Sequence, residues 1–541
     1  MRSRGSAILL WIISGITLTA HAGSTNTVGL ILNTTNASPG YTLFSSLRYT
    51  NTYLLNNEGE LVHLWRAPFV PGNTHYLLEN GNLMRAADPG PLSTIIAGGD
   101  AGMVQEFDWD GNLLWEFSYI DNTRRAHHDI AVLPSGNVLM IAWEAKTKEE
   151  AIVAGMNPDA FFPQQEIWPD HIIEVQPVGT NSGNIVWEWH AWDHLIQDFS
   201  PTSDNFGVVA DHPELIDVNY LDPVLQDWLH INSIDYNASL DQIILSCPFY
   251  DEFWVVDHST TTEEAAGHTG GNSGRGGDIL YRWGNPETYG AGSSSDQKLF
   301  FQHDVEWIDP GLPGAGNILV YNNGRGRPEG KFSTIEEIAP PVDNNGMYTN
   351  PPTGMAFGPT STVWTYSSNP PEALFSRFIS GADRLPNGNT LICEGSSGHF
   401  LEVTSNSNLV WRYINPVGLY GPSPQGLTNL SDNITFRTDR YPLDYPAFSG
   451  RDLTPKGFVE LDPDAVFQFE SVNRTASEAK FSWVSLPGAT YSLQHTMSLE
   501  SPAWSNVVTI VAAGTLTTTT DDDPARMGLD PGFYQVVENP D

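Results

Sequence analysis

A short pattern of polar and apolar positions recurs along the chain. Each copy begins with a glycine or another polar residue, continues with two or three apolar residues, and ends with two aromatic residues separated by one position. Such alternation is typical of β-strands that bury one face. The six copies, of which the first is the weakest, are residues 59–65, 111–117, 183–189, 277–283, 361–366 and 408–413.

A second unit, in which a turn joins two apolar segments, lies between most of these copies. Its turns include Asn80-Gly81 and Ser135-Gly136, and such pairs favour tight β-hairpins. About four short strands per repeat are typical of a β-propeller blade. The pattern therefore predicts an all-β fold with a six-bladed β-propeller over residues 23–462. Because a sixth copy of the second unit is not clear, we expect residues 27–32 to add the strand that closes the ring.

The aromatic repeat stops near Pro463. After it, short alternating segments continue without the regularly spaced tryptophans, which predicts a separate, small C-terminal β-sandwich over residues 463–541. Its size suggests an accessory domain. The alternating segments are residues 467–469, 480–484, 491–494, 507–511, 516–520 and 533–537.

The beginning of the chain has the features of a secretory signal peptide over residues 1–22. Arg2 and Arg4 precede an apolar run at residues 7–19, and Ala20-His21-Ala22 is a small-residue cleavage site. An uncleaved membrane anchor is the alternative, but the run is shorter than the roughly 20 residues that a spanning helix needs. We expect a periplasmic or secreted protein with no membrane span after cleavage.

The net charge of the chain limits the kinds of molecule that it is expected to bind. The 541 residues include 25 Lys and Arg against 64 Asp and Glu, a net charge of −39, while 40% hydrophobic residues exclude a disordered acidic chain. So negative a protein is not expected to bind nucleic acid or anionic membranes.

Cys247 and Cys393 both end apolar segments. We expect two buried thiols, although an oxidising compartment would permit a bridge.

Three of the 15 histidines stand at the start of the second unit, namely His128, His230 and His303. Equivalent positions in successive propeller blades meet around the axis at one face, so we expect these imidazoles to converge. Arg325 and Arg327 follow in a glycine-spaced turn. Guanidinium groups bind tetrahedral oxyanions well, whereas the alternative is a surface turn with two solvated arginines.

Four segments resemble the motifs of bacterial aryl-sulfate sulfotransferases, in the same order along the chain. They are residues 228–234, 302–304, 323–327 and 395–403, and the similarity spans about residues 28–416. The resemblance implies an exported six-bladed propeller that needs no nucleotide sulfate donor or other cofactor. It also implies transfer of a sulfuryl group from a phenolic sulfate ester to a phenol acceptor through a sulfohistidine.

The resemblance also suggests roles for individual residues. His399 matches the nucleophile, while His230, His303 and Arg327 match groups that hold the sulfuryl oxygens. His128 and Arg325 are further candidates for substrate binding.

The chain departs from the family in two places. It has only a short stretch before the first blade where the family has a sandwich domain used in dimerisation, so the oligomeric state stays open. A glycine-rich segment at residues 267–278 stands where the family has a cysteine pair.

Two other functions compete with this interpretation. A non-enzymatic ligand- or protein-binding propeller would not require the histidines and arginines to converge. A metal-dependent hydrolase or lyase could use His128-Asp129 and His303-Asp304, but the nearby arginine would repel a cation. No Cys/His spacing typical of zinc occurs, so the sequence predicts neither a metal nor a cofactor.

Overall fold

All six copies of the aromatic repeat fold as β-strands or end in one, because alternation places one row of side chains on each face of an extended chain. The computed structural model describes residues 26–161, 165–343, 345–419, 421–426, 430, 432–461, 469–475, 477–485, 490–498, 503–513, 516–527 and 533–539. The predicted signal peptide, residues 1–22, lies outside them.

The fold is all-β with three short helices in its described part, α1 (Lys148–Val153), α2 (Thr262–Ala265) and α3 (Pro524–Met527). Strands β1 to β16 are, in chain order, Gly29–Asn33, Gly40–Ser45, Thr52–Leu55, Leu61–Trp65, Val70–Leu77, Leu83–Asp88, Met103–Phe107, Leu113–Ser118, Arg124–Val132, Val138–Glu144, Lys146–Thr147, Glu166–Ile167, Asp170–Val178, Ser182–His190, Leu195–Ile196 and Ile216–Asp217. Strands β17 to β31 are Ser233–Asn237, Gln242–Cys247, Glu252–Asp257, Tyr281–Trp283, His303–Trp307, Ile318–Asn322, Thr334–Ile338, Trp364–Tyr366, Gly381–Arg384, Thr390–Glu394, His399–Val403, Leu409–Ile414, Val417–Gly418, Gly421–Pro422 and Thr438–Pro442.

Most of these strands form antiparallel sheets of four or five strands. The strand orders are β31-β2-β3-β4, β5-β6-β7-β8, β9-β10-β13-β14, β17-β18-β19-β20, β21-β22-β23-β24 and β25-β26-β27-β28-β1. The first-named strands of neighbouring sheets contact each other, from β5 through β9, β17, β21 and β25 to β31. The aromatic repeat supplies the fourth strand of each sheet, counted from the innermost strand, namely β4, β8, β14, β20, β24 and β28.

The first sheet is completed by a strand from late in the chain, and the expectation that residues 27–32 would do this is wrong. β1 (Gly29–Asn33) instead pairs with β28 at the outer edge of the last sheet. β31 pairs with β2, so that Tyr41 faces Tyr441 and Leu43 faces Asp439. The reason is local chemistry: β31 occupies the innermost position, where its polar side chains find buried partners.

Aromatic side chains of the repeat pack between neighbouring sheets. Trp187 and Trp189 of β14 are buried in a cluster that includes Ile243 and Trp254 of the next sheet. Burial of such side chains from both sheets is the main source of favourable free energy here.

The C-terminal strands β32 to β37 are Phe469–Arg474, Ala479–Val484, Thr490–Thr496, Ser505–Val511, Leu516–Asp521 and Phe533–Asn539. They form two three-stranded sheets, β32-β33-β36 and β35-β34-β37, around a core that includes Trp483 and Tyr491.

Two smaller expectations concern the thiols and the membrane. Cys247 and Cys393 are both buried and free, as predicted. Among the described helices, none has the length and apolar character needed to cross a membrane.

Candidate active site

Two of the innermost strands are irregular where site residues lie. In β9, residues 127–129 face the single residue Ile141 of β10, and Asp304 is an extra residue in β21. The backbone φ angle is positive at His128 (53°), His230 (57°) and Asp304 (53°). Non-glycine residues seldom adopt this conformation, and they cluster at functional sites when they do. The irregular backbone at these positions changes the direction of the three side chains relative to a regular strand.

His128 and His230 contact each other directly, with ring centroids 4.5 Å apart. Nδ1 of His230 is hydrogen-bonded to Oδ2 of Asp227, whose Oδ1 accepts a 2.8 Å hydrogen bond from Nε1 of Trp143. Within the described residues, no hydrogen bond reaches Nε2 of His230. Because a carboxylate at Nδ1 keeps the proton on that atom, Nε2 presents its lone pair.

His127 is hydrogen-bonded to His128 and packs against Trp143. The Nδ1 atoms of the two rings are 2.7 Å apart, and His127 stacks on Trp143 with centroids 3.8 Å apart. Burial lowers the pKa of both histidines well below the ordinary value. Both rings are therefore neutral, and one of the two Nδ1 atoms donates its proton to the other.

Both nitrogens of His303 are occupied by the protein. Nδ1 donates a 2.9 Å hydrogen bond to Oδ1 of Asn323, and Nε2 accepts a 3.1 Å hydrogen bond from the backbone N–H of Ile379. Burial lowers the pKa of His303 to about 3. A neutral imidazole with both nitrogens paired is suited to holding neighbouring segments in place.

Phenylalanine rings stand beside these imidazoles. Phe249 lies 5.0 Å from His230 and 5.6 Å from Phe301, measured between ring centroids. Phe436 lies 6.1 Å from His128. Phe249 and Phe301 are half-buried, which leaves part of each ring open to a ligand. Apolar ring faces next to nitrogen lone pairs suit a flat aromatic molecule that carries a reactive group.

Arg437 lies beneath the cluster and bridges two carboxylates, at 3.0 Å from Oδ2 of Asp129 and 2.6 Å from Oδ1 of Asp304. It also donates a 2.6 Å hydrogen bond to the hydroxyl of Tyr76. Burial opposes the charge of Arg437, but the two aspartates outweigh burial and raise its pKa. Its positive charge is therefore neutralised locally and is not available to an anionic ligand.

The two arginines of the glycine-spaced turn have different surroundings. The exposed guanidinium of Arg325 lies 4.3 Å over the ring of Phe301, which itself lies against His230 and His303. Arg327 lies between Phe300 and Phe332, and it donates a 3.0 Å hydrogen bond to Thr334. Burial lowers its pKa. The structure thus brings Arg325, rather than Arg327, to the aromatic wall of the cluster.

His399 lies at the start of β27, and its Nδ1 is 3.0 Å from Oε2 of Glu394 at the end of β26. Segment 375–379 contacts Glu394 at one end, through the N–H of Phe375, and His303 at the other, through that of Ile379. This segment therefore links the His399–Glu394 pair to His303. His399 has the same carboxylate-bound imidazole arrangement as His230.

Sequence reasoning missed several groups that build this site. Asp227 stands three residues before His230, a spacing that could have signalled the carboxylate. Trp143 and Arg437 left no such signal, because their partners lie 84 and 308 residues away in the chain.

Comparison with known proteins identifies the family. The family model described as Arylsulfotransferase (ASST) matches residues 49–415. This match covers more than half of the chain, and the chain belongs to that family. Among curated proteins, none matches this chain.

Several solved structures are similar over most of the chain. A protein of unknown function from Bacteroides caccae is 11% identical, with a TM-score of 0.39, over 74% of this chain and 99% of its own. A streptogramin B lyase is 9% identical, with a TM-score of 0.32, over 72% of this chain and 84% of its own. Virginiamycin B lyase from Staphylococcus aureus is 8% identical, with a TM-score of 0.33, over 73% of this chain and 90% of its own.

Proposed function

We propose that this protein transfers a sulfuryl group from an aryl sulfate ester to a phenol acceptor through a sulfohistidine. Family membership supports aryl sulfotransferase activity in general, with aryl sulfates and phenols as substrates. The observation that carries the proposal is the direct contact of His128 and His230 beside half-buried phenylalanine rings. The alternative of a non-enzymatic binding propeller gives no reason for that convergence.

The nucleophile we assign is Nε2 of His230. The resemblance assigns this role to His399, and both imidazoles have a carboxylate at Nδ1, which directs Nε2 away from that partner. His230 alone of the two is in contact with His128 and Phe249, where an aryl ring and its leaving oxygen fit. His399 is connected to His303 through segment 375–379, by the hydrogen bonds of Phe375 to Glu394 and of Ile379 to His303.

The reaction then proceeds in two displacements. Nε2 of His230 attacks sulfur, the bond between sulfur and the aryl oxygen breaks, and the phenolate leaves with the electron pair and takes a proton from water. In the second step an acceptor phenol gives its proton to water, its oxygen attacks sulfur, and the bond between sulfur and Nε2 breaks with return of the electron pair to Nε2. The neutral ring of His128, in contact with His230, helps to hold the nucleophile in place.

Arg325 supplies the cation in this proposal. Sulfuryl transfer resembles phosphoryl transfer in spreading charge over three oxygens, so a guanidinium near them stabilises the transition state. Arg325 reaches the aromatic wall from an exposed turn. Arg327 and His303 hold the surrounding segments, through Thr334 and through Asn323 respectively.

We test the proposal with 4-nitrophenyl sulfate, with and without a phenol acceptor. Release of nitrophenol that depends on the acceptor is expected, together with a trapped sulfohistidine detected by mass spectrometry. His230→Gln should lower kcat by at least about a thousandfold, whereas His399→Gln should leave a folded enzyme with much of its activity. The opposite pattern would return the nucleophile to His399, and absence of acceptor-dependent release would reject sulfuryl transfer.

We also propose the finer architecture. The ring of contacts from β5 to β31 supports a six-bladed β-propeller within residues 23–462. The two C-terminal three-stranded sheets support a β-sandwich within residues 463–541. Export to the periplasm or medium rests on the signal-like residues 1–22 alone.

A further inference from the structure

A second cluster of histidines joins the glycine-rich segment 267–278 to the region after β14. Oδ1 of Asp278 lies 2.9 Å from Nδ1 of His194 and 2.7 Å from Nδ1 of His268. His194 is fully buried, whereas 60% of the His268 side chain is exposed. Two ring nitrogens thus contact the same carboxylate oxygen, although His194 lies 84 positions before Asp278 in the chain.

The hydrogen bonds of His194 leave two acceptor atoms facing each other. Nε2 of His194 lies 2.8 Å from the carbonyl oxygen of Ala265, so Nε2 must carry a proton and donate it. In a neutral imidazole Nδ1 is then a lone pair, and it faces a carboxylate oxygen, which is also an acceptor. Two acceptors 2.9 Å apart require a proton or a cation between them.

A metal ion placed between the two acceptors would satisfy both of them. Histidines that bind metal through one nitrogen commonly donate the other N–H to a backbone carbonyl, as His194 does to Ala265. Two imidazole nitrogens and one carboxylate oxygen are a donor set that suits Zn²⁺. We propose that His194, His268 and Asp278 bind a Zn²⁺ ion that fastens segment 267–278 to the end of β14.

The surrounding backbone is already arranged for such a site. A Cβ at Gly277 would lie 2.0 Å from the carbonyl oxygen of Ala265 and 2.7 Å from Nε2 of His194. Nε1 of Trp189 donates a 2.7 Å hydrogen bond to the carbonyl of Gly277, and the Trp189 ring stacks on His194. Only glycine fits there, and the ligands are held before any ion arrives.

The open side of the cluster faces a cavity of about 410 Å³. His268 lines this cavity together with Asp193 and His212. Three protein ligands leave a fourth position of a tetrahedral ion for water or another small ligand. The guanidinium of Arg275, on the same segment, is directed to Asn350 and the carbonyl of Ile279.

The test measures zinc binding by the full-length protein after dialysis against a chelator. Titration with Zn²⁺ alone should show one ion per chain and a rise in Tm. His268→Ala removes an exposed ligand without disturbing the core, and it should weaken binding by more than about tenfold and abolish the rise in Tm. Asp278→Asn should act in the same direction.

Two controls keep the assignment specific. His212→Ala removes a half-exposed histidine of the same cavity, and His190→Ala disrupts a separate group formed by Glu144, His171 and His190. Both variants should bind zinc as the unmodified protein does. Failure of the unmodified protein to bind micromolar zinc, or loss of binding in His190→Ala but not in His268→Ala, would overturn the proposal.

Discussion

Gly99 determines where the two contacting imidazoles can lie. Its carbonyl accepts a 2.8 Å hydrogen bond from the N–H of His128. A Cβ at this position would lie 2.0 Å from Cε1 of His128, while the neighbouring Gly98 lies close to His230. The glycine pair therefore lets the backbone come against both rings.

Gly99→Ala should displace His128 and lower kcat/KM for aryl sulfate by about tenfold or more, because His128 helps to hold the nucleophile in place and small displacements of reacting groups are costly. Gly90→Ala is the matched control, since Gly90 also has a positive φ but a Cβ there would meet open space. Equal losses in the two variants would show that backbone strain alone, not displacement of His128, causes the effect.

The neutral state of His303 has a consequence for stability in acid. Burial lowers its pKa to about 3, so the free energy it contributes is present above pH 6.5 and is lost as the pH falls towards 3. His303→Gln keeps a donor and an acceptor but does not titrate. Between pH 7 and 4.5 the stability of the unmodified protein should fall relative to this variant by about 2–3 kcal/mol, measured by urea unfolding. Parallel pH profiles would contradict this.

At the scale of the element, β31 is held by a buried ion pair. Arg440 in β31 is paired with Glu402 in β27, and it also donates a 2.9 Å hydrogen bond to Oγ1 of Thr42. Both charged side chains are almost fully buried. The strand that completes the first sheet is thus attached to the last sheet as well.

Arg440→Met should cost about 3–5 kcal/mol of unfolding free energy, because it leaves Glu402 charged and buried without its partner. Adding Glu402→Gln should recover part of this loss, since the amide needs no counter-charge. The double-mutant cycle by urea unfolding gives the coupling. Strictly additive losses would show that the pair does not act as a unit.

The elements differ in how well the sequence predicts them. The strands that contain Trp65, Trp115 and Trp411 follow from alternation, because one face of each packs in the core. The sequence did not predict β31, because it contains adjacent charged residues, Asp439 and Arg440, and the buried partners of Arg440 are distant in the chain. The convergence of His128 and His230 followed from their repeat positions, whereas the pairing of His399 with Glu394 depends on how β26 and β27 meet.

At the scale of the molecule, the net charge of −39 acts on any anionic substrate. Within the cluster, His128 and His303 are neutral and Arg437 is neutralised by Asp129 and Asp304, so Arg325 is the cation that faces the ligand. The site is therefore less positive than the histidine and arginine content of the sequence suggests.

Salt should consequently raise kcat/KM for the anionic aryl sulfate. Between about 10 mM and 150 mM ionic strength the screening length falls from about 30 Å to about 8 Å, and repulsion of the donor weakens, which should give a rise of about threefold. The KM for an uncharged phenol acceptor is the internal control and should stay constant. A fall in kcat/KM with salt would mean that local positive charge dominates the approach.

The late position of β31 also dictates the order in which the molecule can be made. The ribosome must pass residue 442 before the first sheet has its innermost strand, although β2 is synthesised about 400 residues earlier. Until then β2 keeps an unpaired edge, and pairing across so long a stretch of chain is slow. The first sheet therefore stays incomplete during most of the synthesis of the chain, and its final strand pairing comes after the other five sheets have been made.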